Sequence, residues 1–342
     1  MKIPMLPLIC IIGLMFFFGT IFLYNSEQSQ GMVLGESDYN LDIVLDMETE
    51  ELNQGQKPSE IIDFGYSGFL ESVNKNIEMK FPVTPQKSDT YKKDFELGCS
   101  GAVIDIGSGA VLFKEKSEEQ VPIASITKLA NALVFLDQNP DWDSFYKVKP
   151  SDITEGGRIY LGAGDEVKLK DLFYLALVGS ANSAARAMAS ASGFNEDEYV
   201  QRMNLKMKEQ GLNNTNFVDP MGLSGFNVST AIEVSKLAKS AFSKEEIKDA
   251  LSKKYYRFQT KSGRSIGVYN TNILIGSSED NIKILGGKTG YIYAAGYCFV
   301  GKFVNDQGIE LISVVLGSHD MNSRFTENKK IAKWAYDNYI WK

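Results

Sequence analysis

Ala124-Ser125-Ile126-Thr127-Lys128 is the stretch on which the reading of this chain turns. It sets a hydroxyl three residues before an amine. On an α-helix that spacing puts both side chains on one face, about one turn apart. A neutral lysine there can take the proton of the serine hydroxyl. Lysine loses its charge near pH 7 only where burial or a second cation lowers its pKa. The stretch therefore asks for a closed pocket and another positive group. Alone, Ser-x-x-Lys is a weak signal: Ser72-Val73-Asn74-Lys75 also fits, in a polar, acidic segment without buried context.

Composition narrows the choices. The chain has 342 residues and a formal net charge of −7, a length that suits one large domain or two smaller ones. The acidic balance argues against nucleic acid as a partner. Cys10, Cys99 and Cys298 are too few and too far apart for a zinc site or a disulfide framework, and nothing calls for a metal or cofactor. In an exported protein Cys99 and Cys298 pair only if their Cα atoms lie within about 7 Å. His319 is the only histidine, and no Gly-x-Ser-x-Gly elbow supplies the serine of a Ser-His-Asp hydrolase. It reads as structural or marginal to the site.

Upstream, Ile3 to Tyr24 carries no charge. These are about 22 residues, roughly 33 Å of helix, enough to cross a bilayer core. Lys2 precedes the run and Glu27 follows it, which keeps the amino terminus inside and exports the rest. No small-x-small pattern marks a cleavage site. Residues 1–24 are thus expected to be a single-pass anchor in the cell membrane, with the catalytic domain on the extracytoplasmic side. Residues 25–92 are polar and acidic, with Glu48, Glu50 and Glu51 clustered, and read as a largely flexible spacer. A folded domain is expected over 93–342.

Within that domain, Gly101 to Ile106 and Ala110 to Phe113 are strand-like around the turn Gly107-Ser108-Gly109. Helical pattern runs from Ser125 to Leu136. Leu172 to Ser192 predicts a buried helix pair, or one helix broken at Gly179. Tyr255 to Thr260 and Ser265 to Val268 flank a second hairpin turn, and Tyr297 to Phe303 and Leu311 to Leu316 are strands. An amphipathic helix over Glu327 to Trp341, with Ile331, Trp334, Ala335 and Tyr339 on one side, closes the chain. Strands, helices, strands and a final helix imply a sheet with an inserted helical region.

Two further elements fit the first. Ser180-Ala181-Asn182 offers a hydroxyl and a carboxamide at the break in the Ala-rich region. Lys288-Thr289-Gly290 offers the second cation, a hydroxyl, and a glycine that lets a substrate lie close to the backbone. Each has bland matches elsewhere, Ser72-Val73-Asn74 and Lys261-Ser262-Gly263. The specific signal is the set, in order and in context.

The trio Ser-x-x-Lys, Ser-x-Asn and Lys-Thr-Gly resembles that of the penicillin-recognising serine enzymes. Most similar are the low-molecular-mass penicillin-binding proteins, the serine D-alanyl-D-alanine carboxypeptidases. The likeness extends to Pro122–Leu129, Gly156-Gly157-Arg158, Thr215-Asn216-Phe217, Asn270-Thr271-Asn272 and Val315-Leu316-Gly317 with Arg324-Phe325, over roughly residues 95–342. It implies an α+β fold of the β-lactamase/transpeptidase type, an antiparallel sheet flanked by helices with an inserted all-helical region. It implies that Ser125 attacks the bond between two D-alanines of a peptidoglycan stem peptide, with Lys128 as base and Lys288 and burial keeping it partly neutral. The backbone N–H groups of Ser125 and Tyr291 would form the oxyanion hole. Ser180 would relay a proton to the leaving amine and Asn182 would hold the substrate amide. Thr289, Gly290 and Arg324 would receive the terminal carboxylate. β-Lactams would be covalent inhibitors. This sequence departs from the family pattern at Ala181 and Ser183, and it ends soon after the closing helix, where many relatives are expected to continue into a second, β-rich domain. The alternatives are a D,D-endopeptidase, a β-lactamase and a non-catalytic penicillin sensor. The common β-lactamase uses a glutamate downstream of the second motif; Gly211 to Ile232 holds no Glu or Gln, and Asp219 is its only acid.

Overall fold

The computed structural model describes residues 83–92, 95–279 and 281–342. Strands β1 (Ser100–Asp105) and β2 (Val111–Glu115) come first. A 3₁₀ turn, Ala124–Thr127, runs into helix α1 (Lys128–Leu136). Short strands β3 (Phe145–Lys147) and β4 (Glu166–Lys168) pair and lead to α2 (Leu169–Val178), α3 (Asn182–Ala191) and α4 (Glu196–Glu209). Helices α5 (Ala231–Phe242) and α6 (Glu245–Ser252) precede a hairpin of β5 (Tyr255–Gln259) and β6 (Ser265–Tyr269). Then come β7 (Ser278–Glu279), β8 (Ile282–Ile292), β9 (Gly296–Asn305), β10 (Glu310–Ser318) and α7 (Ser323–Asn338).

Six strands form one antiparallel sheet in the order β7-β8-β9-β10-β1-β2. The hairpin β1–β2 therefore joins β10, the last of this sheet's strands in chain order, and everything from α1 to β6 is inserted between β2 and β7. Both faces of the sheet are covered, which is why β1 reads as a continuous apolar run rather than an alternating one. On one face Val103, Phe113, Leu311 and Val315 meet Ile331, Trp334 and Ala335 of α7. On the other, Ala102, Ile104, Ile312 and Val314 belong to a core shared with the helical region. Helix α1 lies inside that core, with every residue from Lys128 to Phe135 buried. The fold is α+β, as the sequence implied.

Several boundaries differ from expectation. Helix α7 begins at Ser323, four residues early; the Asp320 carboxylate accepts the N–H groups of Asn322 (2.7 Å) and Ser323 (3.0 Å) and so orders the turn that leads into it. It ends at Asn338, and Tyr339–Ile340 pairs instead with Gln86–Lys87. That pairing also corrects the start of the domain from 93. Lys92 N donates to Asn338 Oδ1 (2.7 Å) and the Tyr91 ring meets Trp334 edge-on at 5.5 Å. The last part of the expected spacer is thus packed structure, held by aromatic contacts that a polar composition hides. Residues 1–24 and the spacer up to residue 82 lie outside the described residues. Cys99 and Cys298 are both buried and free, so the bridge between them is not made.

Candidate active site

The backbone bends sharply just before Ser125. Ala124 has φ +48°, a left-handed conformation unusual for a residue with a side chain. The next turn is 3₁₀ rather than the expected α-helix, which begins only at Lys128. The Ser125–Lys128 spacing still works, since residues three apart align in a 3₁₀ turn too. Lys128 Nζ lies 2.8 Å from Ser125 Oγ, 2.8 Å from Asn182 Oδ1 and 2.5 Å from the Met221 carbonyl oxygen. Three acceptors around a buried amine leave it no freedom to turn away.

Helix α2 ends at Val178, and Ser180, with φ +56°, turns the chain into α3. This resolves the choice between a helix pair and a broken helix in favour of the pair. The bend aims Ser180 Oγ at Lys288 Nζ, 2.7 Å away. Asn182 opens α3 with both ends of its carboxamide in use: Oδ1 accepts from Lys128, and Nδ2 donates to the Gly156 carbonyl. Before any substrate arrives, Asn182 is a holder of Lys128 rather than an open contact for a substrate amide.

Lys288, Thr289 and Gly290 lie inside strand β8 rather than leading into it. A Cβ built at Gly290 would sit 2.8 Å from the Ile123 carbonyl oxygen and 3.2 Å from Ser125 N, so only glycine lets β8 approach the Ser125 turn. Thr289 Oγ1 is 2.6 Å from Thr271 Oγ1. Arg324, in the first turn of α7, is 7% exposed and donates from Nη1 to the Gly290 carbonyl (3.2 Å), while its Nε has no partner. Tyr291 is half exposed and stacks on Tyr297 at 4.3 Å between centroids. The three motifs and Arg324 are thereby joined through contacts that link α1, α2, α3, β8 and α7. Ser72 and Lys75 lie outside the described residues. His319 pairs with Asp320 (2.8 Å) at an exposed position.

The electrostatics follow from burial. Desolvation pulls the Lys128 pKa from 10.5 to about 7, against the pull of Asp219 in the other direction. Lys288 is pushed well below its ordinary value, first by burial, then by the positive charges of Lys128 and Arg324. Burial and Lys288 together were expected to keep Lys128 partly neutral, and burial is the leading cause that lowers its pKa. Asp219 supports charge on Lys128, whereas Arg324 opposes charge on Lys288. An amine half neutral near pH 7 and in hydrogen-bond contact with a hydroxyl can accept its proton.

Some groups carry no sequence signal. The Met221 carbonyl is backbone, and no side-chain motif announces it. Asp219 was noticed only as a lone acid. Its carboxylate accepts the N–H groups of Met221 (2.8 Å), Gly222 (2.6 Å), Leu223 (3.3 Å) and Ser224 (2.8 Å), and so folds the loop that presents Met221 to Lys128. A carboxylate with both oxygens occupied in this way is poorly placed to activate a water. Thr271 stood within a recognised segment, but its contact with Thr289 depends on the tertiary approach of the β6–β7 connection.

Comparisons with known proteins agree. A family model described as D-alanyl-D-alanine carboxypeptidase matches residues 92–320. The D-alanyl-D-alanine endopeptidase of Escherichia coli (strain K12) is 32% identical over 240 residues, covering 69% of this chain and 76% of that protein. Among solved structures, the Streptomyces K15 DD-transpeptidase is similar with a TM-score of 0.67 and 26% identity, over 72% of this chain and 100% of that one. Penicillin-binding protein D2 from Listeria monocytogenes, in its cefotaxime-bound form, is similar with a TM-score of 0.62 and 27% identity, over 72% of this chain and 100% of that one. The family match takes in every contact of the site except those of Arg324, and this chain belongs to the D-alanyl-D-alanine carboxypeptidase family of serine peptidases.

Proposed function

We propose that this protein removes the terminal D-alanine from peptidoglycan stem pentapeptides through an acyl-enzyme on Ser125. The observation that carries the reading is the Lys128 amine, 2.8 Å from Ser125 Oγ with its pKa pulled to about 7. Lys128 takes the hydroxyl proton as Oγ attacks the carbonyl between the two D-alanines. The oxyanion is held by the backbone N–H groups of Ser125 and Tyr291; one such donor is typically worth about 3–4 kcal/mol. Ser180, hydrogen-bonded to Lys288, passes a proton to the leaving D-alanine amine as the C–N bond breaks. The Thr289 hydroxyl and the Arg324 guanidinium, whose Nε is unpaired, receive the terminal carboxylate. Water then cleaves the ester, releasing the shortened peptide and restoring the Ser125 hydroxyl.

A penicillin opens on the same serine in this scheme, and the ampicillin-bound form of the Listeria relative supports that expectation. The uncharged run Ile3 to Tyr24 behind Lys2 supports a single-pass membrane anchor with the catalytic domain on the extracytoplasmic side, where peptidoglycan lies. Among the described residues no helix is long and apolar enough to cross a membrane.

A second reading, D,D-endopeptidase, is favoured by the Escherichia coli relative of that name. One assay separates the two. The protein is incubated in parallel with a stem pentapeptide and with a cross-linked dimer, and free D-alanine and monomer are quantified. Release of D-alanine, absent in Ser125→Ala, is expected. Dimer cleavage without D-alanine release would overturn the carboxypeptidase reading in favour of the endopeptidase.

A further inference from the structure

Ser180 holds a left-handed backbone that a side chain disfavours, and such a conformation persists only where the surroundings impose it. Part of the constraint is local, since Ala181 N donates to the Leu175 carbonyl (3.3 Å). The residue before Ser180, Gly179, adds another: a Cβ built there would overlap Val268 Cγ2, so the Val268 side chain fills the space that a side chain at 179 would take. Val268 belongs to β6, in the hairpin that follows α6. It is 1% exposed, on the inner side of a strand whose neighbours Gly267 and Tyr269 are not buried.

The hairpin is itself fastened to α2 at a second place. Tyr256 of β5 donates its hydroxyl to Asp171 Oδ1 (2.6 Å), and its ring stacks on Tyr174 at 4.5 Å. The chain leaving β6 then touches both remaining motifs. Thr271 N donates to the Val178 carbonyl (3.1 Å), one residue before Gly179. The Thr271 hydroxyl meets Thr289 of β8 at 2.6 Å. One hairpin therefore bears on the bend that carries Ser180 and on the strand that carries Lys288.

We infer that the β5–β6 hairpin is a clamp on the Ser180 bend, and that Val268 is a positioning residue which keeps the Ser180 hydroxyl on Lys288. Val268 touches no reacting atom. It acts by closing the space beside Gly179, so that Val178–Ala181 has one backbone path available. Truncating it opens a cavity beside the bend, and the Ser180 hydroxyl spends less time within reach of Lys288. The inference rests on the assignment of Ser180 as proton relay.

The test is a double-mutant cycle on the full chain, read as kcat and KM for D-alanine release and as the rate of acylation by a penicillin. Val268→Ala is expected to lower kcat roughly tenfold with KM within about twofold, because binding contacts are untouched. Ser180→Ala lowers kcat by roughly 10²-fold, the lower range for a proton-transfer group. In that background Val268→Ala costs nothing further, since the hydroxyl it positions is gone. A merely structural valine would slow both backgrounds by the same factor, and that result overturns the clamp while leaving the Ser180 assignment standing. A Val268→Ala protein that melts earlier but keeps its kcat overturns it too. Full activity in Ser180→Ala removes the assignment itself and the clamp with it.

Discussion

Replacing Lys128 by methionine separates what the amine does for the reaction from what it does to stability. A lysine that titrates near 10.5 when unfolded and near 7 when folded is released of its proton by folding across that window. The folded state binds fewer protons there, so the lysine's contribution to stability rises with pH from about 7 to about 10.5 and is flat below about 7. Each pH unit is worth about 1.4 kcal/mol. The full window amounts to about 5 kcal/mol, and the part between pH 7 and pH 9 to about 2–3 kcal/mol. Lys128→Met removes this slope. It also leaves Ser125 Oγ, Asn182 Oδ1 and the Met221 carbonyl without their shared donor, which costs about 1–3 kcal/mol for each acceptor that water does not reach. That loss shifts the whole curve and does not depend on pH, whereas Lys288, relieved of the Lys128 charge in the variant, titrates higher there and widens the pH-dependent difference in the same direction. The clean observable is therefore the change with pH of the difference between wild type and variant. Urea unfolding of chains beginning at residue 31, at pH 6, 7, 8 and 9, measures it. Wild type should gain about 2–3 kcal/mol on the variant between pH 7 and pH 9, and nothing between 6 and 7 beyond the onset of titration. The variant should also fail to acylate with penicillin. A difference that stays constant from pH 6 to pH 9 would mean that Lys128 keeps an ordinary lysine pKa, and its role as a base at neutral pH would be lost.

Three further outcomes are expected. Penicillin should accumulate as a covalent adduct in an early burst, visible by intact mass and absent in Ser125→Ala, because the four N–H groups on Asp219 leave no free carboxylate in that loop to drive deacylation; fast steady hydrolysis without an adduct would instead mark a β-lactamase. Arg324→Ala should raise KM roughly tenfold or more for a peptide ending in a free carboxylate and leave an amidated analogue nearly unchanged, the size expected for a charge-assisted contact of about 1.5–3 kcal/mol; equal losses on both peptides would place Arg324 outside the carboxylate site. Gly290→Ala should cut acylation at least 10²-fold while circular dichroism stays native, since the new methyl must push β8 away from Ile123 and Ser125; an unchanged acylation rate would show that the close approach is not required.

Much of this protein is legible along the chain because its signals are local. Ser125 and Lys128 are three residues apart, so any tight helical turn brings them together. Lys288 and Gly290 announce a cation and a close approach wherever their strand ends up. The apolar run of β1 and the break at Gly179 signal a strand and a helix boundary through local pattern and turn chemistry, and the ordered motif trio adds the fold by resemblance. What the chain order does not contain is distance between elements. That Asp219 supports charge on Lys128 while Arg324 opposes charge on Lys288 depends on the approach of residues 105 apart in sequence. That Asn182 holds a lysine, that Met221 offers a carbonyl, and that Thr271 meets Thr289 follow from loops whose paths are set by packing. The strained backbone at Ala124 and Ser180 is likewise invisible in residue types, since neither is the glycine that a left-handed turn favours. Residue chemistry is carried by the sequence, whereas desolvation and strain belong to an environment, and only the folded chain has one.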